Sequence, residues 1–234
     1  MKISVKSRFK LLHRGFENTI VLIPGWATDY RIFENLKLNY NYLLPEGFHP
    51  VSFAAELSEA LERMSISKVS LFGWSLGGFL ATDFYSRNPK RIEELILLGV
   101  CRRFPSEALK EIEIKIKKNK NAYLYRFYRD CFSKNDKQGL SWFKKHLLKY
   151  YLDTMRLEEL IDGLNYLARA VINPLSLAKV KRLRILHGED DKIVPFEEGV
   201  KVKSSLPGAE FIFFKESGHI PFLNHNFKKK FYHG

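Results

Sequence analysis

A serine set between closely spaced glycines is the strongest chemical signal in this sequence. Gly73-Trp74-Ser75-Leu76-Gly77 has the G-x-S-x-G pattern, which is informative where a strand runs into it and a helix leaves it. Residues 68–72 form an apolar run typical of a strand, and residues 77–87 have the composition of a helix. So sharp a turn leaves no room for side chains two residues either side of the serine. We expect Ser75 to be a nucleophile at the carboxyl edge of a sheet, and not an incidental serine in a Gly-rich turn.

A serine nucleophile needs a base, and the base needs a carboxylate that orients it. In this architecture the acid follows the serine and the histidine follows the acid. His219 comes directly after the last predicted strand, in a loop that can place the imidazole over Ser75. Asp191, four residues before Pro195, is the predicted acid. Asp190 beside it is the alternative.

Three further histidines follow the acid or flank it. His187 ends a predicted strand inside the core and is expected to be a packed or hydrogen-bonded residue, while His225 and His233 are expected at the surface of the closing helix. None of the three is therefore the predicted base.

The oxyanion of an acyl-transfer intermediate needs two hydrogen-bond donors. The N–H of Leu76, the residue after the nucleophile, is one candidate, and the N–H of Trp26 in the loop Pro24-Gly25-Trp26 is the other. The indole of Trp26 would then line the acyl pocket. No metal-ligand spacing and no phosphate-binding loop occurs in the sequence. A mechanism without metal or cofactor is expected.

Strand and helix patterns alternate along most of the chain, which predicts an α/β fold. Further strands are predicted at 19–23, 40–44, 94–98, 183–186 and 210–214, and further helices at 51–64, 195–205 and 221–232. Between residues 102 and 175 only helical periodicity is found. The prediction is an α/β-hydrolase fold, a mostly parallel central sheet with helices on both faces. Its core would comprise residues 1–101 and 176–234, and an inserted helical cap residues 102–175.

The charge of the 234-residue chain is +13, and it is unevenly distributed. Residues 101–150 hold fourteen Lys and Arg against five Asp and Glu, an excess of 14 − 5 = +9. Nucleic acid, an anionic membrane or an acidic protein could each explain such an excess, as could a solvated helical face. Aromatic residues alternate with arginine in 123–131, but no nucleic-acid recognition motif is present.

Cysteine usage and hydropathy favour a cytoplasmic protein. Cys101 and Cys131 are too few for a disulfide framework, which favours free thiols. Residues 1–6 lack the apolar run of a signal peptide, and no stretch approaches the ~18 apolar residues of a membrane span. No membrane association is expected, and a monomer is expected.

Taken together, the motifs resemble the pimeloyl-[acyl-carrier protein] methyl ester carboxylesterases of biotin synthesis. The elbow and Pro24-Gly25-Trp26 carry the resemblance, although Pro24 stands where that family usually has histidine. Residues 188–195 (Gly-Glu-Asp-Asp-Lys-Ile-Val-Pro), around the predicted acid, and residues 218–225 (Gly-His-Ile-Pro-Phe-Leu-Asn-His), around the predicted base, also match. Residues 125–131 resemble the start of the family's cap more weakly.

The resemblance implies a carboxylic ester hydrolase that cleaves the methyl ester of a pimeloyl chain carried on acyl carrier protein. That acidic partner would contact basic cap residues, of which Arg126 and Arg129 are the candidates by position. Arg102, Arg103, Lys115, Lys117 and Lys118 are weaker ones. The implied substrate-binding residues are Trp26, Ser75, Leu76, Phe127, Tyr128, Arg129, Asp130, Cys131 and His219. Other hydrolases share this triad, so free esters, thioesters or C–C bonds are alternative substrates. A binding protein with a decayed site is disfavoured because all three triad residue types are present.

Overall fold

A seven-stranded sheet organises the computed structural model, which describes residues 8–233. Its strands are β1 (Phe9–Leu12), β2 (Thr19–Ile23), β3 (Asn41–Pro45), β4 (Val69–Trp74), β5 (Ile92–Leu98), β6 (Leu183–Gly188) and β7 (Glu210–Phe214). Their order across the sheet is β1-β3-β2-β4-β5-β6-β7, with β1 antiparallel to β3 and all other pairs parallel. The predicted mostly parallel sheet is confirmed.

Helices cover both faces of the sheet, so the central strands are buried throughout. These helices are α1 (Phe53–Arg63), α2 (Leu76–Arg87), α9 (Phe196–Ser204) and α10 (Phe227–His233). Every residue of β4 is buried, and α2 packs against β4 and β5. Because α2 starts one residue after Ser75, the sheet and this helix together fix the elbow.

A helical segment connects β5 to β6, and we call it the cap. It contains α3 (Ser106–Lys118), α4 (Lys120–Asp130), α5 (Lys137–Phe143), α6 (Lys149–Thr154), α7 (Leu157–Leu167) and α8 (Pro174–Leu177). A π-helical turn, Lys144–Leu148, joins α5 to α6. Helix α8 crosses the predicted boundary between the cap (residues 102–175) and the second part of the core (from residue 176). The division of the chain into core and cap stays a prediction.

Two elements differ from the sequence prediction. Strand β1 has no counterpart in the prediction, because it is a four-residue edge strand that carries the exposed Lys10. The closing helix predicted over 221–232 is divided into a 3₁₀ turn, Pro221–Leu223, and α10. The break falls at Asn224, whose extended backbone and side-chain bond to the N–H of Asn226 at 3.1 Å compete with the helix.

The described part of the chain has no helix long and apolar enough to cross a bilayer. Cys101 and Cys131 are both buried free thiols. Residues 1–6, on which the expectation of no signal peptide depends, lie outside the described residues.

Candidate active site

Ser75 lies in the sharp turn between β4 and α2. Its φ of 56° and ψ of −119° belong to a region that residues with side chains rarely adopt, and such strain clusters at functional sites. A Cβ on Gly73 would lie 2.4 Å from the carbonyl oxygen of Gly77, and one on Gly77 would lie 2.2 Å from that of Ile23. Both glycines are therefore required by close backbone approach, which is the physical basis of the motif.

His219 and Asp191 form a buried pair at the carboxyl edge of the sheet. Nδ1 of His219 lies 2.6 Å from Oδ2 of Asp191. The other carboxylate oxygen, Oδ1, accepts the N–H groups of Ile193 at 2.8 Å and Val194 at 2.9 Å. These bonds fix the carboxylate, which in turn orients the imidazole. Asp190, the alternative acid, is exposed, and within residues 8–233 it forms neither a hydrogen bond nor an ion pair with His219.

The remaining ring nitrogen of His219, Nε2, is buried without a hydrogen-bond partner among residues 8–233. Because Nδ1 faces a carboxylate, the neutral ring carries its proton there and Nε2 keeps a free lone pair. Unpartnered buried polar atoms are rare in folded proteins. The one on His219 is the nitrogen that a general base must keep free.

The loop after β2, residues 24–29, brings backbone donors beside the serine, and we call it the oxyanion loop after the role predicted for it. A Cβ on Gly25 would lie 3.2 Å from the Cβ of Ser75, so the loop passes the nucleophile at van der Waals distance. The N–H of Trp26 makes no hydrogen bond within the described residues. Leu76 begins α2, so its N–H has no acceptor inside the helix. Both predicted donors are therefore placed near Ser75 and are available to an oxyanion.

The cap contacts this loop through Trp26. The indole Nε1 donates to the carbonyl oxygen of Leu160 in α7 at 2.8 Å, and the Phe127 ring of α4 meets the indole edge-on at 5.0 Å. A Cβ on Gly163 would lie 2.6 Å from Cδ1 of Trp26. Ser75 is only 6% exposed beneath this contact.

The predicted cap residues do not all reach the site. Tyr128 is buried and donates its hydroxyl to the carbonyl oxygen of Ala27, and the carbonyl oxygen of Cys131 accepts the N–H of His219 at 2.7 Å. Arg129 and Asp130 do not join them: Arg129 is exposed, and the two side chains pair with each other at 3.0 Å. The two charges thus form a pair on α4, and the predicted role of Arg129 and Asp130 in substrate binding stays a prediction.

Arg126 also pairs with the carboxylate of Asp130, at 3.6 Å, and its side chain is 75% exposed. Both predicted carrier-protein contacts, Arg126 and Arg129, are therefore accessible at the surface. They share a single carboxylate, which offsets part of their charge.

A cavity of about 260 Å³ lies beside the oxyanion loop. Its lining comes from the loop after β2 (Gly25 to Asp29), the loop after β3 (Pro45 to Phe48, and Pro50), Leu76, and the cap residues Tyr150, Thr154, Met155, Glu159, Leu160 and Gly163. Three carboxylates line it and no lysine or arginine does. Sequence reasoning found Trp26 and Leu76 here but missed the cap residues. The apolar periodicity of α7 could have indicated that Leu160 is buried, but not what it contacts.

His187 is a second histidine beside Asp191. It is fully buried, and its Nε2 lies 2.8 Å from the carbonyl oxygen of Val194 and 3.5 Å from Oδ2 of Asp191. Burial lowers the pKa of His187 below its ordinary value, and the charge of Asp191 opposes that shift only in part. His187 is a packed, hydrogen-bonded histidine as expected, and His225 and His233 are exposed.

Comparison with known proteins agrees with the fold. A family model described as the alpha/beta hydrolase fold matches residues 24–226. The chain therefore belongs to the α/β-hydrolase family and is a hydrolytic enzyme of the esterase type.

Two kinds of curated relative are similar over most of the chain. A pimeloyl-[acyl-carrier protein] methyl ester esterase of Aliivibrio fischeri is 25% identical over 91% of this chain and 90% of its own length. A 2-hydroxy-6-oxononadienedioate/2-hydroxy-6-oxononatrienedioate hydrolase of Paraburkholderia phymatum is 27% identical over 88% of this chain and 70% of its own.

Solved structures share the fold. An esterase from Exiguobacterium antarcticum superposes with a TM-score of 0.80 at 19% identity, covering 96% of this chain and 92% of its own. A thermophilic esterase from Thermogutta terrifontis gives 0.81 at 16% identity, covering 96% and 90%.

Proposed function

We propose that this chain is a serine carboxylesterase with Ser75 as nucleophile, His219 as base and Asp191 as orienting acid. One observation carries the proposal: Nδ1 of His219 lies 2.6 Å from the carboxylate of Asp191, while its buried Nε2 has no hydrogen-bond partner among residues 8–233. Nδ1 of His187 is also buried without a hydrogen-bond partner among residues 8–233, but it faces Gly199 of α9, where an added Cβ would lie only 2.3 Å from it, and so has no space for a reacting group. The strained Ser75 and the glycines around it supply the nucleophile that such a base requires.

The mechanism follows from these positions. Oγ of Ser75 attacks the ester carbonyl as its proton passes to Nε2 of His219, and the resulting oxyanion accepts the N–H groups of Trp26 and Leu76. Collapse of the intermediate breaks the C–O bond, and the leaving alcohol takes the proton from His219. A water molecule then attacks the acyl-enzyme by the same route, which releases the acid and restores Ser75.

The finer proposal is that the substrate is the methyl ester of pimeloyl-[acyl-carrier protein], cleaved to the free acid and methanol. Resemblance to the Aliivibrio esterase supports it. So does the basic cap, since an acyl carrier protein is acidic and would be attracted to it. Within the described residues, the following exposed cap side chains make no ion pair: Arg102, Arg103, Lys110, Lys118, Lys134, Lys137, Lys144 and Lys145.

Hydrolysis of a C–C bond in a 2-hydroxy-6-oxo-dienedioate is the second candidate, because the Paraburkholderia relative is named as a hydrolase of such compounds. Its substrate is a dioate, which has two carboxylates. Asp29, Glu46 and Glu159 line the cavity beside Trp26. Asp29 pairs with Arg31, and Glu159 lies 3.9 Å from Arg156. Glu46 is therefore the lining carboxylate without an ion pair in the described structure, and its charge disfavours a substrate with two carboxylates. Like charges repel, and the repulsion at the exposed Glu46 and Glu159 is weakened by salt. An uncharged ester meets no such penalty.

Turnover of three substrates separates these candidates: pimeloyl-[acyl-carrier protein] methyl ester, the free methyl ester of the same acyl chain, and a 2-hydroxy-6-oxo-dienedioate. We expect the highest kcat/KM for the carrier-linked ester, with a decrease as salt is added, and no turnover by Ser75→Ala. Equal rates for carrier-linked and free ester, without salt dependence, would reject the carrier-linked substrate. Undiminished hydrolysis by Ser75→Ala would reject the serine mechanism itself.

A further inference from the structure

The loop that carries His219, residues 216–219, is attached to the cap, and we call it the histidine loop. The N–H of His219 donates to the carbonyl oxygen of Cys131 at 2.7 Å. The hydroxyl of Ser133 donates to the carbonyl oxygen of Glu216. Residues 131–136, which we call the cap turn, therefore bond to both ends of the histidine loop.

Asp136 joins the middle of the histidine loop to the cap turn. Its Oδ2 accepts the N–H of Gly218 at 2.7 Å and that of Ser133 at 2.9 Å. Its Oδ1 accepts the hydroxyl of Ser217 at 3.1 Å. A single carboxylate thus receives three hydrogen bonds, two of them from backbone N–H groups.

The burial of Asp136 makes these bonds consequential. The residue is only 6% exposed, and within residues 8–233 no lysine, arginine or histidine forms an ion pair with it. A buried carboxylate is costly unless hydrogen bonds stabilise its charge, and bonds from N–H groups to a charged acceptor are among the strong ones. The contact is also close: a Cβ on Gly218 would lie 2.5 Å from the carbonyl oxygen of Cys131. The histidine loop therefore has little room to shift while Asp136 is in place.

We propose that Asp136 is a positioning residue for the reaction: through Gly218 and Ser217 it fixes the backbone of His219. The cap would then set the position of the imidazole as well as cover the site. This inference rests on the proposed catalytic role of His219. A displacement of about 1 Å at a catalytic group can lower the rate on the order of 100-fold, which makes the role measurable.

The test compares Asp136→Ala with Asp136→Asn on a small free ester, so that it does not depend on the natural substrate. An asparagine can place its oxygen at the Oδ2 position, accept both N–H groups, and donate from its NH₂ group to the Ser217 oxygen. We expect Asp136→Ala to lower kcat about 10- to 100-fold with KM within about twofold, and Asp136→Asn to recover most of kcat. Asparagine activity as low as that of alanine would overturn the proposed role.

Two controls keep loss of position separate from loss of stability. Tyr42→Phe removes a buried hydroxyl in β3 that accepts the N–H of Leu38 at 2.6 Å and donates to the carbonyl oxygen of Leu36 at 2.7 Å, and it should lower Tm without changing kcat. Ser217→Ala removes a single contact to Asp136 and should lower kcat about threefold. If Asp136→Ala does not fold, Ser217→Ala replaces it as the test variant. An unchanged kcat for Ser217→Ala would then contradict the positioning role of Asp136.

The outcome is also distinguishable from failure of the proposed function. If Ser75→Ala and His219→Ala still hydrolyse the ester, the serine mechanism is wrong. If both are inactive while folded Asp136→Ala turns over like the wild type, the mechanism stands and the positioning role is wrong.

Discussion

At the scale of single residues, Gly99 shows how closely the site is packed. It follows β5 with a φ of +59°, and a Cβ there would lie 2.9 Å from Cε1 and 3.0 Å from Nδ1 of His219. No other residue type combines this backbone conformation with so close an imidazole. Gly99 thus leaves the space that the imidazole of His219 occupies. No sequence motif indicates this role.

We expect Gly99→Ala to lower kcat on a small ester on the order of 100-fold, because the methyl group displaces the imidazole from Ser75. Gly15→Ala is the matched control, since Gly15 has a φ of +80° but a Cβ added there would have no neighbour within 4 Å. Both variants should lose about 1 kcal/mol of stability from the strained backbone. Equal kcat values in the two variants would show that the imidazole tolerates the methyl group.

The second prediction at this scale concerns His187 and pH. Burial lowers its pKa in the folded protein, whereas in the unfolded chain it titrates near 6.5. Below that pH His187 is protonated in the unfolded chain but stays neutral in the folded protein. The free energy of unfolding therefore falls as the solution becomes more acidic. The effect is limited to about 1.4 kcal/mol per pH unit.

Replacing His187 by glutamine keeps a donor near the carbonyl oxygen of Val194 and removes the titrating group. We expect the free energy of unfolding of His187→Gln to fall less steeply than that of the wild type between pH 7 and pH 5.5. Urea unfolding at several pH values measures both slopes. His13→Gln, at an exposed position, is the control. Parallel slopes for wild type and His187→Gln would contradict the prediction.

At the scale of elements, α7 holds the oxyanion loop. Leu160 and Gly163 are three residues apart, so they share one helix face, and both contact the indole of Trp26. Glycine within a helix costs about 1 kcal/mol relative to alanine. Its presence here is explained by the indole, which occupies the volume that a methyl group would need.

We therefore expect Gly163→Ala to lower kcat/KM about tenfold, although alanine favours the helix, because Trp26 must move and its N–H is a proposed oxyanion donor. A change in tryptophan fluorescence should accompany the loss. Asn165→Ala, at an exposed position of the same helix, raises helix propensity without touching Trp26. If both variants behave alike, α7 does not control the loop.

The sequence predicted elements better than contacts between them. The β-branched run 19–23 and the elbow after Trp74 have local signals, since burial and turn geometry restrict the residue types there. Strand β1 has no such signal because one edge faces solvent. The contacts of Asp136 and Gly163 could not be predicted, since they depend on how cap helices sit on the core. The apolar periodicity of a helix shows which of its faces is buried, but not which residues pack against that face.

At the scale of the whole molecule, the sheet and the cap contribute different parts of the site. Ser75, Gly99 and Asp191 follow β4, β5 and β6, and His219 follows β7, so the parallel order gathers them at one edge. The cap adds the Trp26 contact, the attachment of the histidine loop and, over residues 102–175, an excess of 16 − 9 = +7 basic over acidic residues. The proposed active site and the proposed docking surface for a carrier protein therefore both involve the cap.

That arrangement predicts where charge matters. Lys137 and Lys144 are exposed, lie seven residues apart on one helical face and make no ion pair in the described structure, whereas Arg126 and Arg129 share Asp130. We expect Lys137→Glu/Lys144→Glu to lower kcat/KM for a carrier-linked ester about tenfold at low salt, because electrostatic attraction raises the rate of encounter with an acidic partner. Hydrolysis of a free ester should be unaffected.

Lys228→Glu/Lys229→Glu in α10 changes the net charge by the same amount at exposed positions outside the cap. Steady-state rates are measured for both double variants at low and high salt. The comparison shows whether the carrier protein is attracted by charges on the cap or by the net charge of the whole protein. If the cap is the docking surface, only the cap variant loses rate, and the difference from wild type disappears as salt screens the charges. Equal losses in both variants would mean that the carrier protein responds to the net charge of +13 and not to a surface on the cap.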